Sequence, residues 1–359
     1  MDLYSKSVEV IRKYQSKYGS FVACPNFPVY RFCWLRDGTY IAYAMDVAGE
    51  FDSALRFYQW VDESIKRYAG KLKALMEKKK RGVVADPNEH LHTRYQLNGR
   101  ETKEQWGNKQ FDGYASWLWG LVEHVKLTGK ESLMDDFSQS VETTVNYLVN
   151  FWEEPCFDCW EELPDKIHTN TLGCISGGLE AINQFLKRKD VENCVKQVNA
   201  FINKKCTIQG RLAKFYDPKT KRASGVDSNL LLLDYPFHVF NPNNKVFKET
   251  VKEIERKLLT DGAHRHPKDS YYGGGEWIIL TLWLAIHYHE VGRREEAYKL
   301  FKWVESTADA NGEIPEQIPR NLIKPRYYAK WVKNWGPIAK PLLWSHAMYI
   351  VVHSLFNRQ

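Results

Sequence analysis

No stretch of this 359-residue chain is apolar for long enough to span a bilayer. Its longest apolar run, Ile278 to Ile286, falls well short of the roughly 20 residues that a membrane helix needs. The first twenty residues alternate charged with apolar positions and lack the apolar centre of a secretory leader. Cysteine is sparse and follows no pairing pattern: seven residues at irregular spacing point to reduced thiols, not a disulfide framework. A cytoplasmic protein with no membrane contact is therefore expected. Cys156-x-x-Cys159 lacks both the second pair of a zinc site and the preceding strand of a thioredoxin-type site, so these are expected to be packing cysteines. His90-x-His92 and His264-x-His266 come with no His-Glu-x-x-His helix and no clustered Asp motif. They are expected to be solvated loop histidines, and neither a metal nor a cofactor is expected. The formal charge of +7 is spread along the chain; the one basic run, Lys78 to Arg81, ends a polar helix and no nucleic-acid motif accompanies it. No Pro-, Gly- or Ser-rich linker divides the chain, so residues 1–359 are expected to form one domain.

Aromatic side chains are abundant, 14% of the chain with 13 Trp and 20 Tyr, which suits either a large helical core or a cleft lined with rings. Helical periodicity dominates. Ala54, Phe57, Tyr58, Val61 and Ile65 fall on one face, as do Ala297, Leu300, Phe301 and Val304. Other segments are apolar almost all round and must be covered on both sides: Tyr114 to Val125, Ile278 to Ile286, and Trp344 to Phe356. A weak internal repeat runs three times from a buried helix to an amphipathic one, with Gly49, Gly129 and Gly292 at the breaks, where a left-handed C-terminal cap suits glycine. Alternation of this kind predicts an all-α, double-layered barrel of helical hairpins, with an α-solenoid as the structural alternative.

The chemistry-bearing residues gather between the helices, in the connections 25–37, 86–111, 156–170, 262–275 and 312–341. In a closed ring of hairpins, connections that lead into the inner helices share one end, and a site would form there. Two of them carry a glutamate beside a turn: Glu161 within Cys159-Trp-Glu-Glu162, and Glu316 within Ile314-Pro-Glu-Gln317. Glycosidic hydrolysis needs two such carboxyl groups, one on each side of the scissile bond.

Taken in order, Tyr30-Arg-Phe-Cys-Trp-Leu-Arg-Asp37, Gln110-Phe-Asp-Gly-Tyr114, Trp160-Glu-Glu162, Arg265 through Trp277, Pro315-Glu-Gln317 and Leu343-Trp-Ser-His346 resemble the catalytic domain of the glucoamylase family, glycoside hydrolase family 15. That family also holds glucodextranases and some microbial trehalases. The resemblance implies an (α/α)6 barrel and a hydrolase acting on α-glucan oligosaccharides or disaccharides with inversion at the anomeric carbon. The favoured activity is exo-cleavage of glucose from non-reducing α-1,4 ends, with trehalase or α-1,6-glucosidase activity as alternatives. It implies Glu161 as general acid and Glu316 as general base, their carboxyls about 6.5–9.5 Å apart. An indole beside Glu161 and a like charge at Glu162 are expected to help the acid keep its proton. Arg36 and Asp37 would bind sugar hydroxyls, Tyr30 would face the oxocarbenium-like centre, Arg265 and Glu162 would contact sugar, and Trp34, Asp112, Trp160, Trp277 and Trp344 would complete the substrate site. Microbial members usually carry a β-sandwich domain before the barrel, which this chain is expected to lack.

A non-catalytic sugar-binding regulatory protein on the same fold is the competing reading, since a barrel does not guarantee chemistry. The presence of both Glu161 and Glu316 argues against it, because a pure binding module needs neither. Oligomeric state is not legible.

Overall fold

In the computed structural model, residues 2–357 are described, and thirteen α-helices dominate them. In chain order these are α1 (Leu3–Lys13), α2 (Leu35–Val47), α3 (Phe51–Lys80), α4 (Asp112–Thr128), α5 (Leu133–Asp136), α6 (Ser138–Phe151), α7 (Thr169–Leu186), α8 (Lys189–Lys205), α9 (Lys245–Leu258), α10 (Ile278–Glu290), α11 (Arg294–Glu305), α12 (Tyr328–Trp335) and α13 (Leu343–Asn357). Helices α2, α4, α7, α10 and α13 are buried on nearly every face, whereas α1, α3, α6, α8, α9 and α11 bury one stripe each. The stripes are those that the periodicity marks: Ala54, Phe57, Tyr58, Val61 and Ile65 in α3, and Ala297, Leu300, Phe301 and Val304 in α11.

The buried helices form a closed inner ring. Around it, α13 packs on α2, α2 on α4, α4 on α7, α7 on the short 3-10 helix Ser228–Leu233, that segment on α10, and α10 back on α13. The six amphipathic helices wrap outside, which makes the fold an (α/α)6 barrel. One inner position departs from the regular hairpin pattern, because a single 3-10 helix stands where an α-helix would. Four leucines fill that place, and Pro236, which has no N–H to donate, follows too soon for the helix to continue.

Gly49, Gly129 and Gly292 adopt the left-handed backbone anticipated between inner and outer helices, with φ of +80°, +68° and +82°. Three inner helices are entered through two-residue strands: Cys33–Trp34 before α2, Ile167–His168 before α7 and Glu276–Trp277 before α10. Each strand pairs antiparallel with a loop segment, Arg94–Tyr95, Phe215–Asp217 and Gln317–Ile318 respectively. These ladders pin the connections over the N-terminal ends of the inner helices. No helix among the described residues is long and apolar enough to cross a membrane.

Candidate active site

The pinned connections surround a cavity of about 520 Å³ at that end of the ring. Of the residues singled out by the sequence, Tyr30, Trp34, Arg36, Asp37, Trp160, Glu161, Glu162, Arg265, Trp277, Glu316 and Trp344 line it. Asp112 does not. It lies fully buried in the first turn of α4, behind the wall, where its Oδ2 accepts from Arg36 Nη1 at 2.9 Å.

Glu161 sits in a tight turn. Asp158 Oδ1 accepts from the backbone N–H of Trp160 at 3.0 Å and of Glu162 at 2.8 Å, and Glu161 N–H donates to the Asp158 carbonyl at 2.9 Å. These bonds hold Glu161 at φ +66°, a conformation that costs a non-glycine residue free energy and persists only where its surroundings enforce it. Three donors then converge on a single carboxylate oxygen. Glu161 Oε1 accepts from Trp34 Nε1 at 2.8 Å, Trp106 Nε1 at 2.7 Å and Gln110 Nε2 at 3.2 Å.

Glu162 does not act as a like charge pressed against its neighbour. Its oxygens meet His266 Nε2 at 2.9 Å, Arg265 Nη2 at 3.3 Å and Lys214 Nζ at 3.7 Å. Burial pushes this carboxyl up, but the His266 hydrogen bond and the Arg265 and Lys214 charges outweigh burial and hold it well below the usual carboxylate range. The charge expected to help Glu161 keep its proton is thus already compensated.

Glu316 precedes the strand Gln317–Ile318 and is almost fully buried. Its Oε1 accepts from the Tyr30 hydroxyl at 3.1 Å, while Oε2 is buried without a hydrogen-bond partner. Burial pushes the carboxyl up to about 7, against the opposing pull of the Tyr30 hydroxyl and the Arg265 charge. Tyr30 also shares a 2.9 Å hydrogen bond with Tyr271, and its ring meets Trp34 edge-on with centroids 5.6 Å apart. The two glutamates are thereby joined through one loop: Trp34 holds Glu161 and Tyr30 holds Glu316.

Arg36 and Asp37 lie in the first turn of α2. Arg36 Nη1 bridges Gln110 and Asp112, whereas Arg36 Nε and Asp37 Oδ2 are buried without hydrogen-bond partners, although they approach each other at 3.5 Å. Burial pushes Asp37 up to about 6 despite the Arg36 charge. Both residues line the cavity, where a planar guanidinium beside a carboxylate suits neighbouring sugar hydroxyls. Arg265 is clamped by Asp269 and set among the rings of Trp160, Tyr271 and Trp277, each with its centroid 5.2–5.4 Å from the guanidinium. Trp344 serves as wall and core at once, stacking on Tyr40 with centroids 5.3 Å apart.

Several contributors escaped the sequence reading. Gln110 stands in a segment that carries the resemblance, but only its link between Arg36 and Glu161 reveals its place. Tyr271 lies inside another such segment. Trp331 and Trp335, spaced by four on α12, line the outer part of the cavity, with Trp335 45% exposed at its mouth. Lys214, buried among Asp227 at 2.9 Å, Asp158 at 3.2 Å and Glu162, leaves no local mark in the sequence.

The histidines correct an expectation. His90, His92, His264 and His266 are all buried, not solvated. His90 bonds the Tyr147 hydroxyl, and burial lowers it to about 3 and His92 to about 4, so both are neutral hydrogen-bonding residues. Among the described residues, Glu162, His266 and Asp269 could share a cation. Arg265 and Lys214 already neutralise those carboxylates, so the set does not suit a metal. All seven cysteines are buried and free.

The chain matches the profile of glycosyl hydrolases family 15 over residues 2–322. It is 33% identical to an isomaltose glucohydrolase from Kribbella flavida over 98% of this chain and 91% of that protein. A trehalase from Sulfolobus acidocaldarius is 23% identical over 76% of this chain and 48% of its own length. Among solved structures, a wild-type glycosidase superposes with a TM-score of 0.93 at 32% identity, covering 99% of this chain and 96% of that one. A bacterial glucoamylase complexed with acarbose shares the fold, with a TM-score of 0.74 at 17% identity over 98% of this chain and 55% of that one.

Proposed function

Because the chain belongs to glycosyl hydrolases family 15 and is a glucoamylase-like glycosidase, we propose that it releases glucose from the non-reducing end of short α-glucosides by inversion. Glu161 is the general acid and Glu316 the general base. The observation that carries this reading is the pair of carboxyls on one cavity, held by Trp34 and Tyr30 of a single loop. With Oε1 of Glu161 taken by three N–H donors, the proton for the leaving oxygen sits on Oε2. Glu316, its Oε2 unpartnered, activates water on the opposite face of the sugar. Arg36 and Asp37 bind hydroxyls of the glucosyl unit being cleaved, Tyr30 faces its anomeric centre, and Arg265 with Glu162 meets the leaving sugar. A carboxyl separation of about 6.5–9.5 Å belongs to this mechanism.

The sequence alone favours α-1,4 ends. Similarity to an isomaltose glucohydrolase over nearly the full length of both chains supports the α-1,6 linkage instead, so isomaltose is the first substrate to test. Maltose, maltoheptaose, dextran and trehalose complete the panel, with polarimetry of the released sugar. The expected product is β-glucose, formed by the wild type and lost in Glu161→Gln and Glu316→Gln by a factor of about 10²–10⁴ in kcat. Release of α-glucose, or full activity in either variant, overturns the mechanism; trehalose as the preferred substrate overturns the linkage.

A further inference from the structure

Arg94 is fully buried, yet it lines no part of the cavity. Its strand pairs it directly with Trp34, and its guanidinium lies 3.6 Å from the ring centroid of Trp106, 4.2 Å from that of Phe32 and 5.3 Å from that of Trp34. Trp106 and Trp34 are the two indoles whose N–H groups meet on Glu161 Oε1. Arg94 Nη1 donates to the Val29 carbonyl at 3.0 Å, one residue before Tyr30, and Nη2 donates to Glu104 Oε2 at 2.7 Å. We infer that Arg94 is a positioning residue for the acid: it clamps and polarises the two indole donors of Glu161 and thereby sets the pH at which the acid step is lost.

The physical reason is twofold. A cation on an indole face fixes the ring and draws density from it, which strengthens the N–H as a donor to a carboxylate. A positive charge behind the rings, screened little in buried surroundings, also attracts the negative charge that proton transfer to the leaving oxygen leaves on the Glu161 carboxyl. Burial lowers Arg94 itself, while the charges of Glu161 and Glu104 oppose that. Other charged or titratable groups facing Glu161 are Arg36 and Asp37 from α2 and Tyr30 from the preceding loop; Glu162 is already paired. Lysine carries the charge without the planar stack, so it is not an equivalent.

The inference rests on Glu161 as acid, and its test separates the two. The pH dependence of kcat/KM is measured at low ionic strength with the disaccharide that the enzyme cleaves and with α-glucosyl fluoride, whose leaving group needs no proton. The limb seen with the disaccharide and missing with the fluoride belongs to the acid. Removing the cation in Arg94→Met is expected to move that limb up by about half a pH unit or more and to leave the fluoride profile in place. Removing the opposing charge in Glu104→Gln, at a side chain 63% exposed, is expected to move it down by less. An unmoved limb in Arg94→Met, with activity lower by one factor at every pH, overturns the inference and marks a merely structural arginine. If Arg94→Met fails to fold, Glu104→Gln decides alone: a downward shift supports the inference, while no shift or an upward one overturns it. Failure of the acid assignment looks different, because Glu161→Gln would then cleave the disaccharide at the wild-type rate.

Discussion

At the scale of single residues, the cavity combines saturated and unsatisfied groups, and each state has a chemical consequence. Glu161 Oε1 is saturated. Trp106→Phe removes one donor while keeping a ring against Arg94, and the loss of a hydrogen bond to a charged group, about 1.5–3 kcal/mol, predicts a fall in kcat of about 10- to 100-fold with little change in Tm. Glu316 is the unsatisfied case. Its folded value of about 7 lies above that of an unfolded glutamate, so the native protein keeps a proton that the unfolded chain gives up. The stability tied to that proton is complete below the unfolded value and is lost as pH rises through about 7. Glu316→Gln is neutral throughout, so it should melt higher than the wild type at pH 8, by up to about 3 kcal/mol, with the gap closing toward pH 4.5. Thermal melts at the two pH values check this; an equal difference at both would contradict it.

Elements obey a different arithmetic, set by how closely backbones approach. Gly178 lies where α7 crosses α4, and an added Cβ would stand 2.2 Å from the Ala115 carbonyl oxygen, a backbone atom that cannot yield. Gly178→Ala therefore should cost several kcal/mol although alanine is the better helix former. Gly129 has open space around its missing Cβ and only its φ of +68° to defend, so Gly129→Ala should cost about 1 kcal/mol and leave kcat unchanged. Denaturant midpoints of the two variants, measured together, distinguish clash from conformational cost.

For the whole molecule, closure of the ring is the controlling feature. Helix α13 lies between α2 and α10 in the inner layer while also packing on α1, and His346 within it reaches both the Ser7 hydroxyl and the Ile314 N–H. Removing residues 343–359 would open the ring and expose the apolar faces of α2 and α10. No cooperative thermal transition is expected for that truncation by circular dichroism.

Much of this architecture was legible in the chain itself, because burial on one face or all faces writes a period directly into the order of residues. Inner helices α2, α4, α10 and α13, outer helices α3, α6 and α11 and the glycine breaks followed from that period, and the short motifs in the connections and at the starts of the inner helices marked eleven side chains that line the cavity wall. What the period does not encode is which polar groups meet across connections remote in sequence. The place of Asp112 behind Arg36, the convergence of Trp34, Trp106 and Gln110 on Glu161, the buried histidines and the Arg94 stack depend on contacts between segments tens to hundreds of residues apart. The 3-10 segment in the inner ring is of the same kind, since an apolar run reads alike as any buried helix. Local pattern determined which apolar faces must be inside, because burial repeats with the helical period; only the closed ring decided which polar groups are buried with them and which side chains touch.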